Sequence, residues 1–260
     1  MNNHLVQRIQ AYLQTRYLNH DVIRRSPFTI FLHRTDDCTE ASTAVPDINT
    51  YPHWPTSLAE VKEAFAQHGR CARVEFLDTF APTLIPALTQ AGFVQTSATT
   101  VVMCTPETYR PAPTMPGLSS IILSRGLAPE EIDANLQTRE LGFDPFNPQI
   151  KHTEAGIFKE TLMTDRAFLL RLHRQPVAVG MFAEINEGVT ELVGVTTLPE
   201  FRRRGFAAYL TGYMTQVAFA RHVDLAFIIC EDDDIANMYR HVGYKPCATL
   251  LSYEIVADES

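Results

Sequence analysis

The sequence has no run of about 18 consecutive apolar residues, the length a helix needs to cross a bilayer, so no membrane span is expected. Cysteine is sparse. The five residues Cys38, Cys71, Cys104, Cys230 and Cys247 are scattered and never spaced as C-x-x-C. An odd, dispersed set argues against a disulfide framework or a zinc site and for a reducing, cytoplasmic compartment. Basic residues are also in deficit: 22 lysines and arginines face 30 aspartates and glutamates, a formal charge of -8. That sign disfavours a nucleic-acid-binding surface. The nine histidines show no ligand spacing, and no metal is expected. No G-x-x-x-x-G-K-[ST] and no G-x-G occurs, which excludes the usual nucleotide and dinucleotide loops. G-x-S-x-G and H-E-x-x-H are missing as well, which removes the common hydrolase and zincin readings.

What is present is enough for a core. Of 260 residues, 45% are hydrophobic and 10% aromatic, as in globular chains. Leu5, Ile9, Leu13 and Tyr17 recur at helical spacing near the N-terminus, which predicts a surface helix and not a signal peptide. The clearest break is Thr105–Gly117, with Pro106, Pro111, Pro113 and Pro116. It reads as a linker over 106–117, dividing an N-terminal domain, 1–105, from a C-terminal domain, 118–260.

The two parts share a pattern. At an offset of 151, Gly92 falls on Gly243, Phe76 on Phe227 and Leu77 on Ile228, with no gap for some 30 residues. Each piece reads as apolar strand, short helix, Gly-aromatic, then a β-rich run over Val94–Met103 or Lys245–Ile255. Matching order and lengths favour a duplicated fold. In the C-terminal part the pattern predicts strands Ser120–Leu123, Ala167–His173, Val177–Glu184, Val189–Thr197 and Leu225–Cys230. It predicts helices Pro129–Leu141, Thr153–Leu162, Ala207–Ala220 and Ile235–His241. Tight turns are expected at Arg174-Gln175-Pro176 and Asn186-Glu187-Gly188. The order is that of an α/β protein with a mixed sheet.

One loop carries chemistry. Thr196 through Ala207, TTLPEFRRRGFA, joins a strand to a helix. A helix N-terminus offers unpaired N–H groups and partial positive charge, which suit a phosphate. Gly205 allows close backbone approach. Arg202, Arg203 and Arg204 conflict with that positive end. A bound polyanion reverses the sign of the conflict; a solvated basic turn is the alternative reading.

Val195–Ala207 resembles the acetyl-CoA-binding motif Q/R-x-x-G-x-G/A of the Gcn5-related N-acetyltransferase (GNAT) family, with Arg202, Gly205 and Ala207 at its fixed positions. Met238-Tyr239-Arg240-His241-Val242-Gly243-Tyr244 resembles the family's Leu-Tyr-x-x-x-Gly-Phe signature. The resemblance spans Ser119 to Ile255. In Met1–Cys104 it touches only Val74–Met103, and no R-x-x-G-x-A loop occurs there. It implies the acyl-CoA N-acyltransferase fold in two tandem GNAT-like domains, the first degenerate and without a cofactor site.

The resemblance further implies acetyl-CoA (coenzyme A) as acyl donor, an amine of a small molecule or peptide as acceptor, and no metal. Its donor site would comprise Val195, Thr196, Thr197, Arg202, Arg203, Arg204, Gly205, Phe206, Ala207 and Ala208. Tyr239 takes the place of the family's acid beside the cofactor sulfur; packing of its helix is the alternative reading. Glu191, eleven residues before Arg202, takes the place of the base in histone-type members, with Glu184 or Asp232 as alternatives. Strict alternation puts Glu191 on one face with Val193, Val195 and Thr197. Where the family often has Asn, this chain has Glu231-Asp232-Asp233-Asp234, a helix cap or a lure for a cationic acceptor. Gly142–Pro148 stands where the family builds its acceptor wall. A non-catalytic acyl-CoA sensor or scaffold is the competing function. Monomer and homodimer both remain open.

Overall fold

The computed structural model describes residues 3–17, 20–36, 41–51, 53–146, 162, 164–230 and 233–256. The chain divides into two compact units. The first comprises Met1–Val102, Ile229–Asp233 and Pro246–Ser260, and the second Met103–Ile228 and Asp234–Lys245.

The first unit opens with helix α1, Asn3–Leu13, whose buried stripe is Val6, Ile9, Gln10, Tyr12 and Leu13. The expected helical period therefore holds, but the helix stops at Leu13 and a 3-10 turn, Gln14–Arg16, follows. Strands β1 (His20–Arg25) and β2 (Phe28–His33) form an antiparallel hairpin, and β3 (Thr43–Pro46) pairs antiparallel with β2. Helix α2 (Trp54–Ala66) then carries the chain to β4 (Arg73–Leu77), which is parallel to β3, as a crossover connection requires. Helix α3 (Leu84–Gln90) leads to β5 (Val94–Cys104). The last strand of the chain, β11 (Lys245–Glu254), lies between β4 and β5 and runs antiparallel to β4, Leu250 opposite Leu77 and Glu254 opposite Arg73.

The second unit has the strand order β10-β9-β8-β7-β6. Its elements are β6 (Leu118–Ser124), α4 (Pro129–Phe143), β7 (Thr164–Leu172), β8 (Gln175–Phe182), β9 (Val189–Thr197), α5 (Phe206–Ala220), β10 (Leu225–Cys230) and α6 (Asp233–Tyr239). Helix α4 starts at Pro129 with Glu130 and Glu131 in its first turn, where proline's missing N–H costs nothing and carboxylates meet the positive end. It covers one face of the sheet, with Ile132 and Leu136 packed on Ala167, Leu169 and Val179. Helix α5 covers the other: Tyr213 lies edge-on to Phe168, and a Cβ on Gly180 would come within 3.1 Å of Met214 Sδ. The expected helix Thr153–Leu162 falls outside the described residues except Leu162, which is buried in the α4 core.

The offset repeat is visible element by element. β4, α3 and β5 match β10, α6 and β11, and Gly92 and Gly243 both take left-handed backbone, φ +82° and +99°. The likeness goes further than the sequence pattern. β1-β2-β3-α2-β4 repeats the antiparallel, antiparallel, crossover, parallel succession of β7-β8-β9-α5-β10.

Two turns differ in detail from expectation. The β7–β8 turn is His173-Arg174, with φ +49° and +71°, so β8 begins at Gln175. A two-residue hairpin turn that matches strand twist needs positive φ at both central positions. Glu187 and Gly188 do the same before β9, at +48° and +76°. The proline-rich segment Thr105–Gly117 is laid along α5. Tyr109 Oη donates to Gly212 O at 3.2 Å, its ring meets Phe219 at 5.8 Å, and Met115 reaches Gly205.

Candidate active site

The site begins where two parallel strands part. β9 and β10 pair at Val189–Leu225, Thr190–Ala226 and Glu191–Phe227. Among the described residues the pairing stops there, while β9 runs on to Thr197. Among the described residues, the edge of β9 beyond Glu191 is thus not paired to β10, the kind of strand edge to which an extended group can be added.

β9 also carries a bulge. Val193 faces Met181 and Thr196 faces Val179, so Gly194 and Val195 oppose Gly180 alone. Gly194 takes φ +64°, a conformation glycine adopts without strain. One extra residue reverses the alternation of everything beyond it. The expected face therefore needs correction: Glu191 and Val193 share theirs with Thr196. Val195 turns to the α5 side, where its Cγ2 is 3.1 Å from a Cβ placed on Gly180. Thr196 meets α4, with Cγ2 2.6 Å from a Cβ placed on Gly142.

After Thr197 the chain makes a 3-10 turn, Pro199–Phe201, and then a tight reversal into α5. Arg203 takes φ +59° and Gly205 φ +82°. A non-glycine residue there is uncommon and strained by roughly 1–2 kcal/mol. Tyr209 N closes the first helical bond, to Gly205 O at 2.9 Å. The N–H groups of Phe206, Ala207 and Ala208 precede it and lie at the positive end of the helix. This is a setting for an anion.

The three arginines have three surroundings. Arg202 Nε donates to Thr197 O at 3.2 Å and its Nη2 to Gly142 O at 2.7 Å. Arg204 lies beside the adjacent rings of Phe201 and Phe206, 5.4 and 5.2 Å from their centroids, a cation–π contact with each. Arg203 is exposed.

Tyr239 ends α6 and is 4% exposed, 6.1 Å ring to ring from Tyr244. Tyr244 Oη shares a hydrogen bond with Thr215 Oγ1 of α5 at 2.7 Å, and burial holds its phenol well above the usual range. Glu191 is 4% exposed, and its carbonyl accepts from Ala183 N at 2.8 Å. Glu184 has a side chain 69% exposed and lies 3.9 Å from Arg166. Glu231 and Asp232 lie outside the described residues, as do Asn147 and Pro148 of the expected acceptor wall.

Beside the bulge on the α4 side is a cavity of about 140 Å³, bordered by Asn135, Arg139, Val179, Met181, Val193 and Gly194. Asn135 Nδ2 donates to Phe168 O at 3.0 Å. Sequence reasoning missed these residues. The available signals were the spacing of Asn135 and Arg139 on one helix face and lone glycines within strands, which mark bulges and close approaches. Among the described residues no cluster of histidine, cysteine, aspartate or glutamate is arranged to hold a metal ion.

Residues 136–244 match the acetyltransferase (GNAT) family model. They form a GNAT-family domain. The chain is an acyltransferase. It is similar to a GCN5-related N-acetyltransferase from Kribbella flavida, at 26% identity and a TM-score of 0.75, with 96% of this chain and 95% of that chain covered. It shares its fold with a GCN5-related N-acetyltransferase from Sphaerobacter thermophilus, at 14% identity, TM-score 0.64 and coverage of 96% and 89%. It also shares it with a tandem GNAT protein from the clavulanic acid biosynthesis pathway, at 10% identity, TM-score 0.66 and coverage of 98% and 89%. No curated protein matches the chain.

Proposed function

We propose that the chain moves an acetyl group from acetyl-CoA to a primary amine of a small molecule or peptide by direct attack. The observation that carries this reading is the turn at Arg203 and Gly205, opening α5 directly after a strand that has left its parallel neighbour. The residues fit the donor. The N–H groups of Phe206, Ala207 and Ala208 would receive its pyrophosphate, with Arg203 adding charge at the rim. Main-chain groups of Val195, Thr196 and Thr197 would pair with its pantetheine arm as an added strand does. Arg202 and Arg204 shape the turn through the carbonyls and rings they touch.

Bound acetyl-CoA supplies a thioester carbonyl already activated towards an amine. Glu191 takes the proton of the attacking amine through water, because a lysine-type amine, pKa about 10.4, is otherwise protonated. A C–N bond forms and the C–S bond breaks. Tyr239 gives its phenolic proton to the departing sulfur, which otherwise leaves as an unstabilised thiolate. Holding donor and acceptor side by side removes any need for an acyl-enzyme.

Calorimetry with coenzyme A, followed by mass spectrometry of small amines and peptides incubated with acetyl-CoA, tests the reading. The expected result is one binding event and a mass gain of one acetyl group on at least one amine. Failure to bind coenzyme A at millimolar concentration would sink it. Binding without transfer to any amine would replace it with a non-catalytic acyl-CoA sensor or scaffold.

A further inference from the structure

The first unit repeats the parted strands of the second, but a side chain of the same unit stands in the gap. β3 and β4 pair in parallel at Ala44–Val74, and each continues for two or three residues beyond. At that point Gln10 of α1 reaches in. Its Oε1 accepts from Leu77 N at 2.9 Å and its Nε2 donates to Pro46 O at 3.4 Å. Gln10 is 1% exposed. One carboxamide thus answers an N–H of one strand and a C=O of the other, as a peptide group laid between them would.

We infer that Gln10 occupies, in the first unit, the place that the pantetheine arm takes in the second, so that each chain holds one acyl-CoA. This rests on the reading of the second unit proposed above. The arm of coenzyme A is itself built on amide groups, and a side-chain amide offers the same donor and acceptor. To enter, it has to displace a buried group whose hydrogen bonds are already made, leaving that group to find others.

The surroundings agree. The segment after β3, Asp47-Ile48-Asn49-Thr50-Tyr51-Pro52-His53, contains no glycine and no cation other than a histidine. Asp47 accepts from Gln14 Nε2 at 2.7 Å and from Thr29 Oγ1 at 3.1 Å, a carboxylate directly after β3 where a bound pyrophosphate would be repelled. On β4, Glu75 is held by Tyr17 Oη at 3.2 Å, Arg73 Nη2 at 3.1 Å and Arg16 Nη1 at 3.6 Å. A carboxylate so engaged is not available to take a proton from an amine.

Hydrogen exchange of the full chain, with and without saturating coenzyme A, decides the point peptide by peptide. The expected result is slower exchange over residues 193–208 and no change over 44–48 and 74–78. Protection of either first-unit peptide by coenzyme A overturns the inference. Absence of protection over 193–208 instead overturns the proposed function, so the two failures are distinguishable. In Gln10→Ala, the Leu77 amide is expected to exchange faster by about tenfold or more, as its only barrier becomes local opening. Acetyl-CoA turnover should be retained, since the substitution lies outside the second unit. Unchanged exchange at Leu77 would show that Gln10 does not close the gap.

Discussion

Arg202 Nη2 donates to the carbonyl oxygen of Gly142 at 2.7 Å, fastening the turn before α5 to the last turn of α4. An arginine in a phosphate-binding motif is easily taken for a phosphate ligand. Here the guanidinium donates to two main-chain carbonyls, those of Gly142 and Thr197. Arg202→Ala is therefore expected to lower the melting temperature, at a cost of roughly 1–3 kcal/mol, and to weaken coenzyme A binding only through a looser turn. Arg203→Ala should leave the melting temperature unchanged and weaken coenzyme A binding more at low salt than at high. Paired thermal melts and salt-dependent calorimetry check both. Equal melting temperatures for Arg202→Ala and the parent would refute the tether.

Glu191→Gln and Tyr239→Phe address the chemical step. Each keeps size and shape, so coenzyme A affinity should change by less than about threefold, while turnover falls by roughly 10²–10⁴. Single-turnover transfer and direct binding measured on the same preparations separate these quantities. If either variant retains full turnover, that residue is not the proton carrier.

The two repeats give a matched pair of glycine substitutions. A Cβ on Gly92 would meet nothing within 4 Å, whereas on Gly243 it would lie 2.2 Å from Thr108 O. Both residues have left-handed backbone. Gly92→Ala should thus cost only the conformational strain, about 1–2 kcal/mol. Gly243→Ala must also push the Thr108 backbone aside and should cost about 4 kcal/mol or more. Denaturant midpoints of the two variants test the difference, and equal midpoints would contradict the close approach of Thr108.

His20 supplies a pH dependence. Its ring is lowered from the ordinary 6.5, first by burial and then by His33, Arg70 and Arg34, against the opposing effect of Ala41 O. The unfolded chain takes up the proton more readily than the folded one. The stability linked to this ring is therefore complete above 6.5 and drains as the pH falls below it. Urea midpoints measured down from neutral pH should decline less steeply in His20→Asn than in the parent. An identical slope would remove His20 from the linkage.

Much of this fold was legible because local rules repeat. The Gly92–Gly243 offset located two β-α-β pieces, and both glycines prove to need positive φ. The turn Arg203–Gly205 was legible from its glycine and the helix it opens. The bulge at Gly194 was not, since alternation is a local rule while a register shift is set by the neighbouring strand. Gln10 and Arg202 illustrate the same limit. Their partners, Leu77 and Gly142, are 67 and 60 residues away, and nothing local in the chain names them. Proline content suggested a free linker at Thr105–Gly117, yet Tyr109, Ala112 and Met115 lie against α5. Proline fixes φ and removes a donor, and such a strand can be laid along a helix as readily as it can span a gap.

The last strand, β11, is an inner strand of the first unit, between β4 and β5. Synthesis therefore delivers the pieces of that unit out of order. β1 to β5 leave the ribosome early, but the edges of β4 and β5 stay open until Glu254 has been made. During that interval the nascent chain presents unsatisfied strand edges, the kind of surface chaperones recognise and aggregation exploits. Removal of β11 should accordingly be felt first at the other end of the sequence, around β4 and β5.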